Sequence, residues 1–310
     1  MSVIADVVRP GLFLRAFHPR RAVGLVAAFL LAATLASCGG GESRGTTGAD
    51  AGGSSYAGGS DKAGHVHGLV VDGEGAVLVA THTGLWRAGP NERSARPIGG
   101  ARPDLMGLSR SGRRLLASGH PELAAERSPH LGLVESLDGG ATWATLSLDG
   151  AADFHALAVE GRLAYGYNGL DGWLLVSSDG GRRWRAAKAQ PGPVLSLAVR
   201  PGHPAEVAAA TEEGIVVSRR SGTSWRPVGA SVTGLLAWTQ RRGLFAADQR
   251  GRVLRVDGGK GPVPMGGVIP GAPAAFAASG DDLYLAAGDG RILRSTDGGR
   301  SWRARAEVPH

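Results

Sequence analysis

The chain has 310 residues, 43% of them hydrophobic, enough to bury a sizeable core in one large domain or two ordinary ones. Its 51 glycines argue for many turns and against long helices, so an all-β chain is expected. The net charge of +7 does not describe a nucleic-acid partner: Arg9, Arg15, Arg20 and Arg21 against Asp6 put +3 of it ahead of residue 38, and the other arginines form no basic block that would track a phosphate backbone.

Residues 22–36, AVGLVAAFLLAATLA, are an uncharged run of 15 behind those arginines. A membrane span needs roughly 20 residues, whereas this length suits the core of a secretory signal. The run leads into Leu35-Ala36-Ser37-Cys38, which resembles a bacterial lipobox. That resemblance implies a signal peptide over 1–37, cleavage before Cys38 and lipid on its thiol. The protein would then be lipid-anchored in the cell envelope, on the extracytoplasmic face, at the cell surface or in the periplasm. Because each buried methylene contributes about 0.8 kcal/mol, two or more acyl chains anchor stably where one does not. Cys38 is the only cysteine, so no disulfide is expected and the fold must rest on its own core. Residues 38–64 read as the lipidated cysteine and a flexible Gly/Ser tether of roughly 25–30 Å root-mean-square reach.

From 65 to 310 the sequence repeats. The octets SLDGGATW (136–143), SSDGGRRW (177–184) and STDGGRSW (295–302) share Ser-x-Asp-x-Gly-x-x-Trp. SRRSGTSW (218–225) has Arg220 in place of the aspartate, and VDGGKGP (256–262) keeps only Asp257 and Gly259. In such a turn the aspartate accepts backbone amides, the glycine takes a positive φ and the tryptophan packs on the blade. The octets are similar to Asp boxes, the BNR hairpin repeat of sialidases, sortilin-type receptors and photosystem-assembly propellers. The resemblance makes Asp138, Trp143, Asp179, Trp184, Asp297 and Trp302 structural residues.

A second periodicity lies upstream of the octets. HVHGLVV (65–71), DLMGLSR (104–110), DFHALAV (153–159), PVLSLAV (193–199), SVTGLLA (231–237) and APAAFAA (272–278) each carry a small residue followed by Leu or Phe. Each is followed by two more apolar runs, a turn and a fourth run. Four short strands per unit of roughly 40–45 residues predict a β-propeller. The expected fold is a six-bladed propeller of four-stranded antiparallel blades, with an insertion at 121–130 in blade 2.

If the strands of a blade are lettered A to D outward from the central channel, the starts of A and the B–C turns share one end of the propeller. The repeats then read as columns at that rim. Three residues before the small one stand His65, Asp104, Asp153, Pro193, Ser231 and Ala272; immediately before it stand His67, Met106, His155, Leu195, Thr233 and Ala274. His82 and His120 end strand B of blades 1 and 2, where blades 4–6 have Glu212, Gln249 and Asp289. A histidine at a strand end commonly serves only to tidy a turn, and duplication by itself can carry a column. Blades 4–6, however, keep the scaffold residues without the His/Met pattern.

His65, His67, His82, Met106, His120 and His155 are therefore the candidate metal ligands, neutral imidazole being the commonest transition-metal ligand. Asp104, Asp153 and Tyr167 are the ligand-binding candidates beside them. Met106 favours copper, whose lower oxidation state takes soft sulfur, whereas imidazole with aspartate alone suits zinc.

The region 65–302 also resembles a group of bacterial lipoproteins, often labelled glycosyl hydrolases, that open with His-x-His-Gly-Leu. The matching elements are His65–Leu69, Met106-Gly107, Gly119-His120-Pro121 and Asp153-Phe154-His155. A sialidase mechanism would need three substrate-gripping arginines, a Tyr/Glu nucleophile pair and an acid/base aspartate. No Arg-Ile-Pro opens the propeller, and of the tyrosines only Tyr165 and Tyr167 are expected near the rim. Three readings follow: a membrane-anchored binding module for copper or zinc, a glycosidase-like or other hydrolase, and a scaffold for a protein partner or glycan.

Overall fold

A computed structural model describes residues 62–122, 128–228, 232–257 and 261–309. The signal, Cys38 and the tether up to residue 61 lie outside them. The described elements are 24 strands in six four-stranded antiparallel sheets, each built from four consecutive strands. These are the six expected blades. Strand A covers Val66–Val71, Asp104–Ser111, Phe154–Glu160, Val194–Arg200, Leu235–Thr239 and Pro273–Ser279 in blades 1 to 6. Strand A of each blade packs beside that of the next, and blade 6 packs against blade 1, so the ring is closed.

The core is divided among the six blade interfaces. Leu78, Leu85, Leu105 and Leu115 fill the space between blades 1 and 2, while Leu116, Leu133 and Phe154 fill the next. The octet turns belong to this packing. In each, the serine hydroxyl accepts the glycine N–H, at 2.8 Å for Ser136–Gly140, 2.9 Å for Ser177–Gly181 and 2.8 Å for Ser295–Gly299. Ser218 and Gly222 keep that bond at 3.0 Å although the aspartate is missing. Each tryptophan reaches the interface with the preceding blade. Trp184 lies 4.9 Å from the Phe154 ring and its Nε1 donates to Ser147 Oγ of blade 2 at 3.1 Å. Gly181 has φ +93°, and a Cβ there would stand 2.5 Å from Leu133 Cδ2 of blade 2, so the turn needs glycine both for its angle and for that close approach.

Ring closure joins the last strand to blade 1. Glu307 forms a parallel bridge with Ser94, and its carbonyl accepts from Ala95 N at 2.8 Å. The buried Arg305 guanidinium donates to the carbonyls of Glu92, Gly75 and Gly89 in blade 1 at 2.9, 2.9 and 2.7 Å. Ala63, inside the stretch expected to be tether, is fully buried and its N–H bonds Pro309 O at 2.9 Å.

One feature of strand A was not legible in the repeat. Its register slips beside the residue preceding the small one in five blades: between Val66 and Gly68, Leu105 and Gly107, Phe154 and Ala156, Val194 and Ser196, and Pro273 and Ala275. A bulge re-aims the extra side chain. The re-aimed residues are His67, Met106, His155, Leu195 and Ala274, and all five line one cavity of about 100 Å³ at the channel. The small residue that follows is explained by crowding: a Cβ on Gly107 would stand 2.3 Å from Phe154 O of blade 3.

Candidate metal centre

The rim residues of blades 1–3 fall into two groups rather than the one expected. The first is His67, His82 and Asp104; the second is His120, Asp153 and His155; within each, one donor atom per residue lies within 4.8 Å of the others. Both are built across a blade junction. The histidine ending strand B of one blade faces the aspartate opening strand A of the next, and a bulge residue closes the group. The sequence placed Asp104 and Asp153 beside the histidines, and the structure makes them the centre of each group.

In the first group His67 Nε2 lies 3.3 Å from both ring nitrogens of His82, His82 Nδ1 lies 3.0 Å from Asp104 Oδ1, and His67 Nε2 lies 3.9 Å from that oxygen. Asp104 Oδ1 is buried and has no aligned hydrogen bond, although the imidazole is close. Burial first, then the neighbouring His82, pushes the His67 imidazole down to about 4 against the pull of Asp104. It is neutral at neutral pH, which is its metal-binding form.

In the second group His155 Nε2 lies 2.8 Å and His120 Nε2 3.6 Å from Asp153 Oδ2. The Asp153 side chain is only 6% exposed, and its other oxygen, Oδ1, has no partner. Burial raises the Asp153 carboxyl, but the His155 hydrogen bond and the charges of His155, His120 and His130 outweigh it and hold it below the usual range. The same hydrogen bond raises His155. His120 Nδ1 stands 3.0 Å from Pro129 O, and since a carbonyl only accepts, Nδ1 carries the proton. Its Nε2 is then the lone-pair nitrogen, 3.6 Å from the Asp153 carboxylate and open to a cation. A histidine held through one nitrogen by a carbonyl, with the other nitrogen free, is the usual outer arrangement of a metal-ligating imidazole.

The other expected residues are placed differently. Met106 belongs to neither group; it shares the channel cavity with His67 and His155. His65 stands outside the first group with its ring 5.4 Å from that of His82. Tyr167 packs against the core between blades 3 and 4 and joins neither group. Tyr165, expected near the rim, instead donates to Pro204 O at 2.8 Å, because its side chain is buried in the blade 3–4 interface and points toward the other end.

His130 was set aside with the insertion, yet its ring lies 5.3 Å from that of His120 and its buried Nδ1 has no partner. The Leu131 N–H bonds Gly119 O at 2.8 Å and closes the neck of the insertion, so residues 120 and 130 meet across it. The only sequence signal was that His120 immediately precedes the inserted segment and His130 ends it.

No protein-family model matches the sequence. No curated protein matches it either. Among solved structures, the chain is similar to an ancestral GH74 enzyme, with a TM-score of 0.53 and 14% identity over 79% of this chain; it spans only 39% of that enzyme's length. It is similar to YCF48 bound to D1 peptide, with a TM-score of 0.50 and 18% identity, covering 78% of this chain and 81% of that one. A chain of a nidogen/laminin complex gives a TM-score of 0.58 at 13% identity, covering 74% of this chain and 93% of that one. At such identities the likenesses establish the propeller fold and nothing finer.

Proposed function

We propose that this propeller is a membrane-tethered, extracytoplasmic binding module whose rim takes a transition-metal ion, copper or zinc. The observation that carries the reading is Asp153, a carboxylate buried at the rim with one oxygen unpartnered and two imidazoles facing the other. The His155 hydrogen bond offsets the burial of one oxygen, the other oxygen has no partner, and the paired imidazoles supply further donors to a bound cation. Spacing supports the same reading. Donors about 2.0–2.2 Å from a tetrahedral zinc lie about 3.4 Å apart. The three separations in the first group are 3.3, 3.0 and 3.9 Å. Imidazole and carboxylate suit zinc or oxidised copper, while Met106 in the adjoining cavity offers sulfur to reduced copper.

The full-length chain, stripped with chelator and titrated against a chromophoric zinc or copper competitor, should bind with sub-micromolar affinity. Affinity equal to that of a His67→Ala/Asp153→Asn double variant would sink the reading. The anchor rests on Cys38 and its signal. Mass spectrometry of the mature amino terminus should find acylated Cys38, and Cys38→Ser should release the chain from the membrane fraction; an unmodified cysteine would refute it.

A second reading, docking of a protein partner or glycan, is supported by Leu170 and Trp173. They are 49% and 48% exposed, Leu170 in the B–C turn of blade 3 and Trp173 at the start of strand C, and Gly169 beside Leu170 would put a Cβ 3.6 Å from His155 Nε2. An exposed indole face suits a sugar ring or a peptide side chain. Hydrolysis would require the metal to activate water. A glycoside and ester panel with metal supplied tests that variant, and absence of turnover removes it.

A further inference from the structure

The two groups share a histidine at the end of strand B and an aspartate at the start of the next strand A, set one blade apart, while the bulge histidine comes from the blade behind the first junction and from the blade ahead of the second. His82 and His120 occupy the same position at the end of strand B, and Asp104 and Asp153 the same position at the start of the next strand A. The bulge column supplies His67 to the first junction and His155 to the second, with Met106 on the blade between them. Each junction also has one further imidazole outside its group, His65 beside His82 and His130 beside His120, at ring separations of 5.4 and 5.3 Å. Two imidazoles on one tetrahedral ion have ring centres about 5 Å apart, given metal–nitrogen distances of about 2.0–2.1 Å. Both junctions hold a buried carboxylate oxygen without a hydrogen bond, Asp104 Oδ1 and Asp153 Oδ1, and the second adds the orphaned His130 Nδ1.

The geometry points to two transition-metal sites on this rim, one at the blade 1–2 junction and one at the blade 2–3 junction, each served by three histidines and one aspartate. The first set is His67, His82 and Asp104 with His65 as the fourth donor; the second is His120, Asp153 and His155 with His130 as the fourth. This deepens the metal-binding reading and rests on it. The ligand class is a divalent ion of borderline softness that accepts nitrogen and carboxylate in four-coordination, zinc or oxidised copper. Met106, lining the cavity between His67 and His155, is shared ground and is not required by either set.

The experiment is a count. The full-length chain, stripped with chelator, is loaded separately with zinc and with copper(II), desalted, and its metal measured by elemental analysis against protein concentration. Two equivalents are expected. His82 and His155 side chains are 43% and 50% exposed, so His82→Ala and His155→Ala should fold, which circular dichroism verifies. Each should retain one equivalent, the double variant none, and His203→Ala, at the other end of the propeller, both. His65→Ala and His130→Ala should each weaken one equivalent at least tenfold and leave the other unchanged. A single equivalent in the parent chain, or the loss of both ions in either single variant, overturns the two-site inference while leaving the metal reading intact. No bound metal at all overturns both.

Discussion

Asp104 and His120 are direct cross-strand partners in blade 2, yet they serve different groups, Asp104 with His67 and His82 and His120 with Asp153 and His155. The start of strand A in blade 2 faces the junction behind it and the end of strand B the junction ahead. One blade thus contributes a carboxylate to one group and an imidazole to the next.

That arrangement makes the carboxylates separable. Asp153→Asn keeps the shape and removes the charge that two imidazoles face. Metal affinity at the second junction should fall by more than the roughly 10–100-fold that an outer-shell change costs, with the first junction unaffected. Competition titration of the variant checks this, and an unchanged second affinity would contradict it.

The octet turns predict an acid limb of stability. Thr142, through its hydroxyl and its amide, and then Ser136 hold the Asp138 carboxyl down to about 2, and Asp179 and Asp297 are held lower still by equivalent bonds. For a carboxyl depressed in the folded state, the unfolded chain takes up protons first as pH falls. The contribution is complete above the unfolded value of about 4 and is lost as pH drops toward 2. Thermal melts between pH 5 and pH 2 should show this slope, and Asp138→Asn should flatten it.

Trp184→Ala should cost about 2–4 kcal/mol in urea unfolding, because it empties an inter-blade position beside Phe154 and removes the bond to Ser147 Oγ. Trp184→Phe should lose only about 1 kcal/mol, since the packing survives and the hydrogen bonds do not. Equal losses in the two variants would place the stabilisation in the hydrogen bonds alone.

Arg305→Ala should destabilise the ring at its seam by at least about 3 kcal/mol, since three carbonyls of blade 1 lose a charged donor. Arg305→Lys should recover only part of this, as one ammonium cannot reproduce the planar fork. The melting temperatures of the two variants give the order, and a lysine variant as stable as the parent would contradict it.

The sequence by itself determined the blade count, the strand order and the structural role of the octets, because a blade is a local unit whose turns need Gly and Asp at set positions and whose strands need apolar runs. It also named seven of the eight residues at the two junctions, because the columns that single out His65, His67, Asp104, Asp153 and His155 follow from the repeat alone. Tertiary structure decided how they divide. Which imidazole faces which carboxylate depends on the angle between neighbouring blades, and the bulge that turns His67, Met106 and His155 into the channel leaves the residue order unchanged. His130 was beyond reach for the same reason: only the bond closing the insertion's neck carries it back to His120. Local hydrogen bonding and hydrophobic pattern are written along the chain, whereas the approach of two rings across a junction is set by the closure of the whole ring.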